Sequence, residues 1–172
     1  TLRSKLGFIR QKTVLFTGSI KSNIKFGKRK ASHEEMVHSA KVAQAYDFIN
    51  KKEKKFDEPI GEGGSNVSGG QKQRLSIARA LVRKPEIYIF DDSFSALDFK
   101  TDAILRAELK KETTHAIVLI VAQRIGSIMD ADKIIVLDEG NIVGIGKHKE
   151  LLKTCSVYKE IALSQLTEEE LA

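Results

Sequence analysis

A short run of small and polar residues, Ser68, Gly69, Gly70 and Gln71, stands directly before a stretch of helical periodicity that continues to about Val82. The N-terminus of a helix has unpaired backbone amides and about half a unit of positive charge. Glycines allow a phosphate group to approach those amides closely, and the Ser68 hydroxyl adds a further donor. The run therefore predicts a phosphate-binding helix start, although an ordinary helix N-cap explains the same residues equally well.

Two carboxylates, Asp91 and Asp92, follow the apolar run of residues 87–90. A continuous apolar run is typical of a strand that is buried on both faces of a parallel sheet, and α/β sheets bind ligands at the carboxyl ends of such strands. The first carboxylate suits a Mg²⁺ ion held through water, and the second lies where it can polarise a hydrolytic water. The alternative is a solvated strand end, where acidic residues are common.

The order of these features is more specific than either feature alone. The glycine-containing helix start is followed by one helix, then by the acidic strand end, and then at once by Ser-Ala-Leu-Asp at residues 95–98. In this order the chain resembles the nucleotide-binding domain of ATP-binding cassette (ABC) transporters. Residues 67–74 resemble the signature motif of that family, residues 87–92 its Walker B motif, and residues 95–98 its D-loop.

The resemblance extends over nearly the whole chain and implies further roles. Gln11 matches the Q-loop, which in the family contacts Mg²⁺ and relays the nucleotide state to the membrane domain. Residues 13–20 resemble the exporter branch, and residues 61–63 resemble the exporter X-loop, in which Glu62 faces the coupling helices. The resemblance thus implies ATP and Mg²⁺ as cofactors, and a transmembrane domain that contacts the Q-loop region and Glu62.

The same resemblance assigns each site residue a role. Asp92 and Gln123 take the catalytic positions, Asp91 and Gln11 take the metal positions, and the nucleotide contacts fall to Gln11, Ser68, Gly69, Gly70, Gln71 and Asp98. In the family two such domains dimerise head to tail. We therefore expect the phosphate at residues 68–71 to belong to ATP that is seated on a second nucleotide-binding domain.

Three features depart from the family pattern. The 172 residues contain no G-x-x-x-x-G-K-[ST] sequence, and the family's P-loop lies upstream of Gln11, so we expect this polypeptide alone to bind ATP negligibly and to be inactive. Asp92 stands where the family has Glu, which withdraws the carboxylate by about 1 Å. Gln123 stands where the family has His, and an amide donates hydrogen bonds but carries neither a proton nor a charge.

The exchanges at Asp92 and Gln123 would weaken the same site. A misplacement of about 1 Å can slow a reaction by about 10²-fold. The pattern resembles one subunit of a heterodimeric exporter that has one consensus site and one degenerate site, in which the signature motif of this chain completes the partner's site. The alternative is that Asp simply substitutes for Glu.

The elements that must position these residues predict an α/β fold. A helix begins at Ser32, which forms a capping box with Glu35, and continues to Ala45. The remaining elements are buried strands at residues 6–10, 87–90 and 117–121, a loop at 56–66, helices at 70–82, 103–111, 127–131, 150–152 and 157–165, and a hairpin of residues 133–137 and 141–145.

The resemblance describes this fold as a P-loop NTPase-like ABC ATPase core with an inserted α-helical subdomain, in which the N-terminal strands and the P-loop are missing. The expected division is a core strand and Q-loop at residues 1–12, the helical subdomain with the signature motif at 13–84, the α/β core with Walker B, D-loop and switch region at 85–166, and a frayed tail at 167–172.

Composition limits the classes of function. Hydrophobic residues make up 41% and charged residues 30% of the chain, which is typical of a soluble globular domain. The net charge is +6, but the basic clusters at residues 28–30 and 51–55 lack interleaved aromatic residues, so we expect no nucleic-acid partner. No apolar run approaches the roughly 20 residues of a membrane helix. The expected location is the cytoplasmic face of a membrane, reached through a transmembrane domain.

The favoured function is ATP binding and hydrolysis that drives export. A soluble ABC-type ATPase that acts on ribosomes or DNA is the first alternative, but the chain has no heptads or coiled-coil insertion, and residues 13–20 are exporter-like. A regulatory nucleotide-binding module without turnover is the second. Drugs, lipids and peptides all remain open as substrates, with multidrug export as the default expectation.

Overall fold

The computed structural model describes residues 2–167, and these follow the expected alternation of strand and helix after Pro85. In chain order the first part contains α1 (Leu2–Lys5), β1 (Leu6–Ile9), β2 (Gly18–Ser19), α2 (Ile20–Lys25), α3 (His33–Val42), α4 (Tyr46–Asn50), β3 (Pro59–Ile60), α5 (Gly69–Leu81), β4 (Ile87–Asp91), α6 (Phe99–Glu112) and β5 (Ile117–Val121). The second part contains β6 (Ile134–Asp138), β7 (Asn141–Gly146), α7 (His148–Thr154) and α8 (Ser156–Leu163). Of the tail expected at residues 167–172, residues 168–172 lie outside the described residues.

Contacts divide the chain into two units, Thr1–Val121 and Ala122–Ala172, each with its own hydrophobic cluster. In the first unit β4 lies between β1 and β5 in a parallel three-stranded sheet. This sheet, with helices before and after β4, confirms the α/β fold class. The finer division of the chain at residues 12, 84 and 166 stays a prediction.

The outer strands are less buried than the apolar runs predict. Ile117, Leu119 and Val121 of β5 expose half or more of their surface, and Phe8 of β1 exposes 51%. In the described part of the chain β5 pairs with β4 along only one edge. The prediction of buried strands at residues 6–10 and 117–121 was therefore wrong in burial, because an apolar run indicates a strand without showing how many elements cover it.

The helical segment before Pro85 begins as expected but is divided differently. Ser32 accepts a hydrogen bond from the Glu35 amide at 3.1 Å, and the Glu35 carboxylate accepts one from the Ser32 amide at 2.9 Å, which confirms the capping box. The helix ends at Val42 and not at Ala45. Gln44 has a φ of 55°, a left-handed conformation that a continuous α-helix cannot contain.

Within the loop at residues 56–66, β3 pairs antiparallel with β2, which lies earlier in the chain. The Asn66 side chain organises the rest of the loop: its oxygen accepts from the Gly61 amide at 2.9 Å, and its nitrogen donates to the Pro59 carbonyl at 2.7 Å. Because one amide group pairs with two backbone groups of the loop, the turn that carries Glu62 is held directly before α5.

The second unit is a hairpin packed against two helices. Glu139 and Gly140 both have positive φ, 44° and 79°, as a tight two-residue hairpin turn requires, which confirms the turn expected at residues 138–141. His148 is buried, and its Nδ1 lies 2.8 Å from the Tyr158 hydroxyl. Burial, and then the nearby Lys149, lower the pKa of the His148 imidazole.

The C-terminal end of α5 packs against the backbone at Gly27. A Cβ at this position would lie 1.9 Å from the Arg79 carbonyl oxygen and 3.1 Å from Val82 Cγ1. Because the first neighbour is backbone, a side chain at residue 27 must push α5 away from the turn that follows α2.

We therefore expect Gly27→Ala to lower the free energy of unfolding by about 3 kcal/mol, the upper range for overpacking. Urea denaturation measures the change. Gly126→Ala is the matched control, because no atom of residues 2–167 lies within 4 Å of a Cβ there and φ is not left-handed. Equal stability of the two variants would contradict the close packing at Gly27.

Candidate functional site

The carboxyl ends of β1 and β4 bring Gln11 and Asp92 into contact. Gln11 Nε2 donates a hydrogen bond to Asp92 Oδ2 at 2.8 Å, although the two residues are 81 positions apart. Asp91 is the last residue of β4 and pairs with Val121, and the Asp92 amide donates to the Val121 carbonyl at 2.9 Å. Asp92 has a φ of 42°, so the chain turns sharply at the second carboxylate.

Three side chains, one from the segment after β4 and two from α5, hold the backbone that leaves β1. The Ser93 hydroxyl donates to the Ile9 carbonyl at 2.8 Å, and Gln73 Nε2 donates to the Arg10 carbonyl at 3.3 Å. Arg79 Nη1 donates to the Val14 carbonyl at 3.1 Å. The segment that carries Gln11 is therefore held on both sides of that residue.

The start of α5 has the capping geometry of a helix N-terminus. Ser68 Oγ accepts from the Gln71 amide at 3.2 Å, and Gln71 Oε1 accepts from the Ser68 amide at 3.2 Å. Both partners of this capping box are exposed or half-buried, and α5 continues for 13 residues. The Gln71 side chain is thus used within the cap, while the Ser68 hydroxyl hydrogen and the first amides of the helix remain the groups suited to an anion.

The two glycines of this helix start differ in what surrounds them. A Cβ at Gly70 would lie 3.2 Å from the Ala96 carbonyl oxygen and 3.7 Å from Leu97 Cδ2, so residues 96–97 pack directly on Gly70. A Cβ at Gly69 would meet no described atom within 4 Å, and the φ of Gly69 is not left-handed. The fold of the described residues therefore explains a small residue at position 70 but not at position 69.

Asp98 follows these packed residues and is the N-cap of α6. Its carboxylate accepts from the Thr101 amide at 2.9 Å and from the Thr101 hydroxyl at 2.7 Å. These two hydrogen bonds, and more weakly the positive charge of Arg74, lower the pKa of the Asp98 carboxyl. Asp98 is thus a structural cap in addition to the nucleotide contact that the family resemblance implies.

Two further predicted residues, Gln123 and Glu62, are described by their own surroundings. Gln123 belongs to the second unit, where its side chain is exposed and its carbonyl accepts from Gln165 Nε2 at 2.8 Å. Glu62 is exposed in the short helical turn Glu62–Gly64. His33, His38 and His115 are exposed.

The acidic end of β4 suits a metal that is shared with a ligand. Among residues 2–167 no group of three or more His, Cys, Asp or Glu side chains is arranged to hold a metal ion. Mg²⁺ commonly takes only one or two protein oxygens and completes its shell with water and phosphate oxygens. Asp91 and the amide oxygen of Gln11 fit that requirement, so they would hold Mg²⁺ only together with a nucleotide.

Gln73 is the principal residue of this region that we did not predict from the sequence. It exposes 1% of its surface, Nε2 donates to the Arg10 carbonyl, and Oε1 accepts from the Thr13 hydroxyl. Its spacing in the sequence indicates that it is buried. Residues 73, 77 and 81 lie on one helix face, and both Ile77 and Leu81 are apolar and buried. A polar residue on an apolar face must find buried partners.

Comparisons with known proteins show which family the chain resembles. The family model described as ABC transporter matches residues 1–95. The chain is 45% identical to an uncharacterised ABC transporter ATP-binding protein of Bacillus subtilis (strain 168), over 98% of this chain and 29% of that protein. It is 42% identical to multidrug resistance protein 1 of Entamoeba histolytica, over 98% of this chain and 13% of that protein.

A solved structure shows the same fold. It is a bacterial Atm1-family ABC exporter with ATP bound, which superposes with a TM-score of 0.93 at 38% identity and covers 97% of this chain and 30% of that one. The chain therefore spans less than a third of the length of these relatives. No helix within residues 2–167 is long and apolar enough to cross a membrane.

Asp98→Asn removes the negative charge of the α6 N-cap but keeps the size of the side chain. The lowered pKa of Asp98 means that its carboxylate stabilises the fold above about pH 4, its unfolded value, and that this contribution is lost as the pH falls through the lower folded pKa. Asn accepts the same hydrogen bond from the Thr101 amide without titrating.

We therefore expect Asp98→Asn to stay close to wild type at pH 7 and to lose less stability than wild type between pH 4 and pH 2. The measurement is the midpoint of urea denaturation as a function of pH. Asp98→Ala, which removes the cap altogether, should be less stable at pH 7. Parallel pH profiles for wild type and Asp98→Asn would refute the role of the charge.

Proposed function

The chain belongs to the ABC transporter family, and on that premise we propose that it couples ATP binding and hydrolysis to export across a membrane. In this proposal two ATP-binding domains associate head to tail, and the α5 start of this chain contacts the phosphates of ATP seated on the other domain. The names of the relatives support an exporter, and the Entamoeba protein supports a multidrug-like one. The proposed location is the cytoplasmic face of that membrane.

The single observation that carries this proposal is the open space at Gly69. The first turn of α5 offers amide donors, the Ser68 hydroxyl and the positive end of a helix dipole, all at an exposed position. Gly69 has no neighbour in the described chain that a Cβ would meet. A glycine that its own fold does not require is explained if a phosphate approaches the backbone from outside.

We also infer that the site to which Asp92 contributes turns ATP over slowly. In the described structure one oxygen of the Asp92 carboxylate already accepts the Gln11 amide hydrogen, which restricts where that short side chain can point. Bound ATP would supply the phosphoryl group, and Mg²⁺ would neutralise the negative charge on its phosphate oxygens. Asp91 and Gln11 would hold the ion, and Asp92 would orient a water.

Gln123 adds to this inference independently. It stands at the family's switch position, and its amide can donate a hydrogen bond but cannot take up a proton. Together with Asp92 it supports a heterodimer in which the partner domain has Glu and His at the matching positions and carries the faster site. The Q-loop region and Glu62 would contact the transmembrane domain.

Gly69→Ala tests the phosphate contact. Because the position is open, we expect the free energy of unfolding to stay within about 0.5 kcal/mol of wild type. In the intact transporter, however, a methyl group between the amides and the phosphate should reduce ATP turnover by about 10²-fold, the usual cost of losing one preorganised donor.

Urea denaturation and steady-state ATP hydrolysis give the two measurements, and Gly126→Ala serves as the control for both, since it also adds a methyl group in open space. Wild-type turnover in Gly69→Ala would remove the main support for the proposed function.

The degenerate site is tested by restoring the family residues. In the intact transporter, with the partner's site inactivated by Glu→Gln, we expect Asp92→Glu combined with Gln123→His to raise ATP hydrolysis by about 10-fold or more, since about 1 Å of carboxylate placement can be worth about 10²-fold. Phosphate release is the measurement, and Asp92→Asn sets the background. If the restored variant hydrolyses ATP no faster than wild type, the inference of a degenerate site is wrong.

A further inference from the structure

We propose that Gln73 is a positioning residue that couples the Gln11 segment of this chain to the α5 start. The inference rests on the proposed function in one respect: Gln11 and Asp92 serve the ATP bound on this chain, whereas the α5 start serves the ATP bound on the other domain. Gln73 then connects the two nucleotide sites through one buried amide group.

Gln73 lies in a buried environment that pairs its amide group. Its side chain is 99% buried, and both of its polar atoms are paired. Nε2 donates to the Arg10 carbonyl at 3.3 Å, and Oε1 accepts from the Thr13 hydroxyl. Arg10 and Thr13 lie on either side of Gln11, so one side chain contacts the backbone before Gln11 and a side chain after it.

Gln11 connects the segment of residues 10–13 to the acidic end of β4. Gln11 lies between the two residues that Gln73 contacts, and its own amide donates to Asp92 at 2.8 Å. A displacement of Gln11 that follows a change at Asp92 must therefore move the backbone of residues 10–13 relative to Gln73. The buried Gln73 amide must move with that backbone to keep its hydrogen bonds, because leaving either of its polar atoms unpaired costs free energy.

Helix α5 connects Gln73 to the residues at the helix start that are proposed to bind phosphate. Gln73 lies in the second turn of α5, and the Lys72 amide donates to the Ser68 carbonyl at 2.9 Å. Within this hydrogen-bonded turn Ser68 and Gln73 move together, since an α-helix of 13 residues is stiff over one turn. The contact sequence therefore runs from Asp92 through Gln11 and Gln73 to Ser68, entirely within the first unit.

Arg79 shows why the coupling is assigned to Gln73. Arg79 also contacts the segment after Gln11, through the Val14 carbonyl, and it holds Asn23 with two hydrogen bonds of 2.7 and 3.0 Å. It lies 11 residues after Ser68, about 16 Å along the helix axis at 1.5 Å per residue. Arg79 thus anchors the C-terminal end of α5. Gln73 lies near the N-terminal end, where a small displacement of residues 10–13 would also displace the helix start.

The test uses Thr13→Val, which removes the hydroxyl donor but keeps the shape of the side chain, and Thr13→Ser, which keeps the donor. Both are made in the intact transporter, together with Gln73→Leu. Hydrogen exchange without nucleotide is measured at the Gln71 and Lys72 amides, about 60 positions away from residue 13. We expect Thr13→Val to exchange about fivefold faster there, the factor that corresponds to one neutral hydrogen bond, and Thr13→Ser to match wild type.

The second measurement is the dependence of hydrolysis rate on ATP concentration. Coupled sites give a Hill coefficient above 1, and we expect it to fall towards 1 in Thr13→Val and in Gln73→Leu but not in Thr13→Ser. A purely structural role would lower kcat with the amount of folded transporter and leave the Hill coefficient unchanged. If Gln73→Leu does not fold, Thr13→Val, at a half-buried position, decides the result.

The outcomes separate this inference from the proposed function. Unchanged exchange at Gln71 and Lys72 in Thr13→Val overturns the contact sequence, whether or not the transporter hydrolyses ATP. Faster exchange with an unchanged Hill coefficient overturns the coupling of the two sites. A wild-type transporter that does not hydrolyse ATP contradicts the proposed function, and the exchange measurement then still decides whether Gln73 positions the helix start.

Discussion

The polypeptide that leaves β1 has to pair its backbone groups without a neighbouring strand, and the rest of the first unit depends on how this is done. Backbone carbonyls that have no partner in a strand ladder are paired by side chains or by water. Here Ser93, Gln73 and Arg79 donate to the carbonyls of Ile9, Arg10 and Val14. These donors come from the segment after β4 and from α5. The hydrogen bonds that pair the three carbonyls therefore also fix the positions of both elements relative to residue 11.

That arrangement explains why residues with different roles lie on one short helix. The first turn of α5 is exposed and capped by Ser68, whereas its next turns carry the buried Gln73 and then the apolar face that packs in the core. The proposed anion contact requires an end that faces outward, and the proposed positioning role of Gln73 requires a side chain that is held in the core. A helix meets both needs because its axis is rigid and its faces differ.

Much of the local structure was predictable because its signals are local. The capping box at Ser32, the helix start at Ser68, the hairpin turn at residues 139–140 and the bounds of β5 depend on residues within a few positions of each other. The extent of burial was not predictable in the same way. The apolar run of β5 predicts a strand correctly, but its exposure is decided by which other elements cover it.

The sequence by itself determined the class of fold, the family resemblance, the helix start at Ser68 and the departures at Asp92 and Gln123, because each is a matter of residue type and spacing along the chain. Only the tertiary structure decided that Gln11 donates to Asp92, that Gly70 is packed while Gly69 is open, and that Gln73 pairs with Arg10 and Thr13. Those contacts join residues up to 81 positions apart, and nothing in local spacing specifies which distant polar groups will satisfy one another.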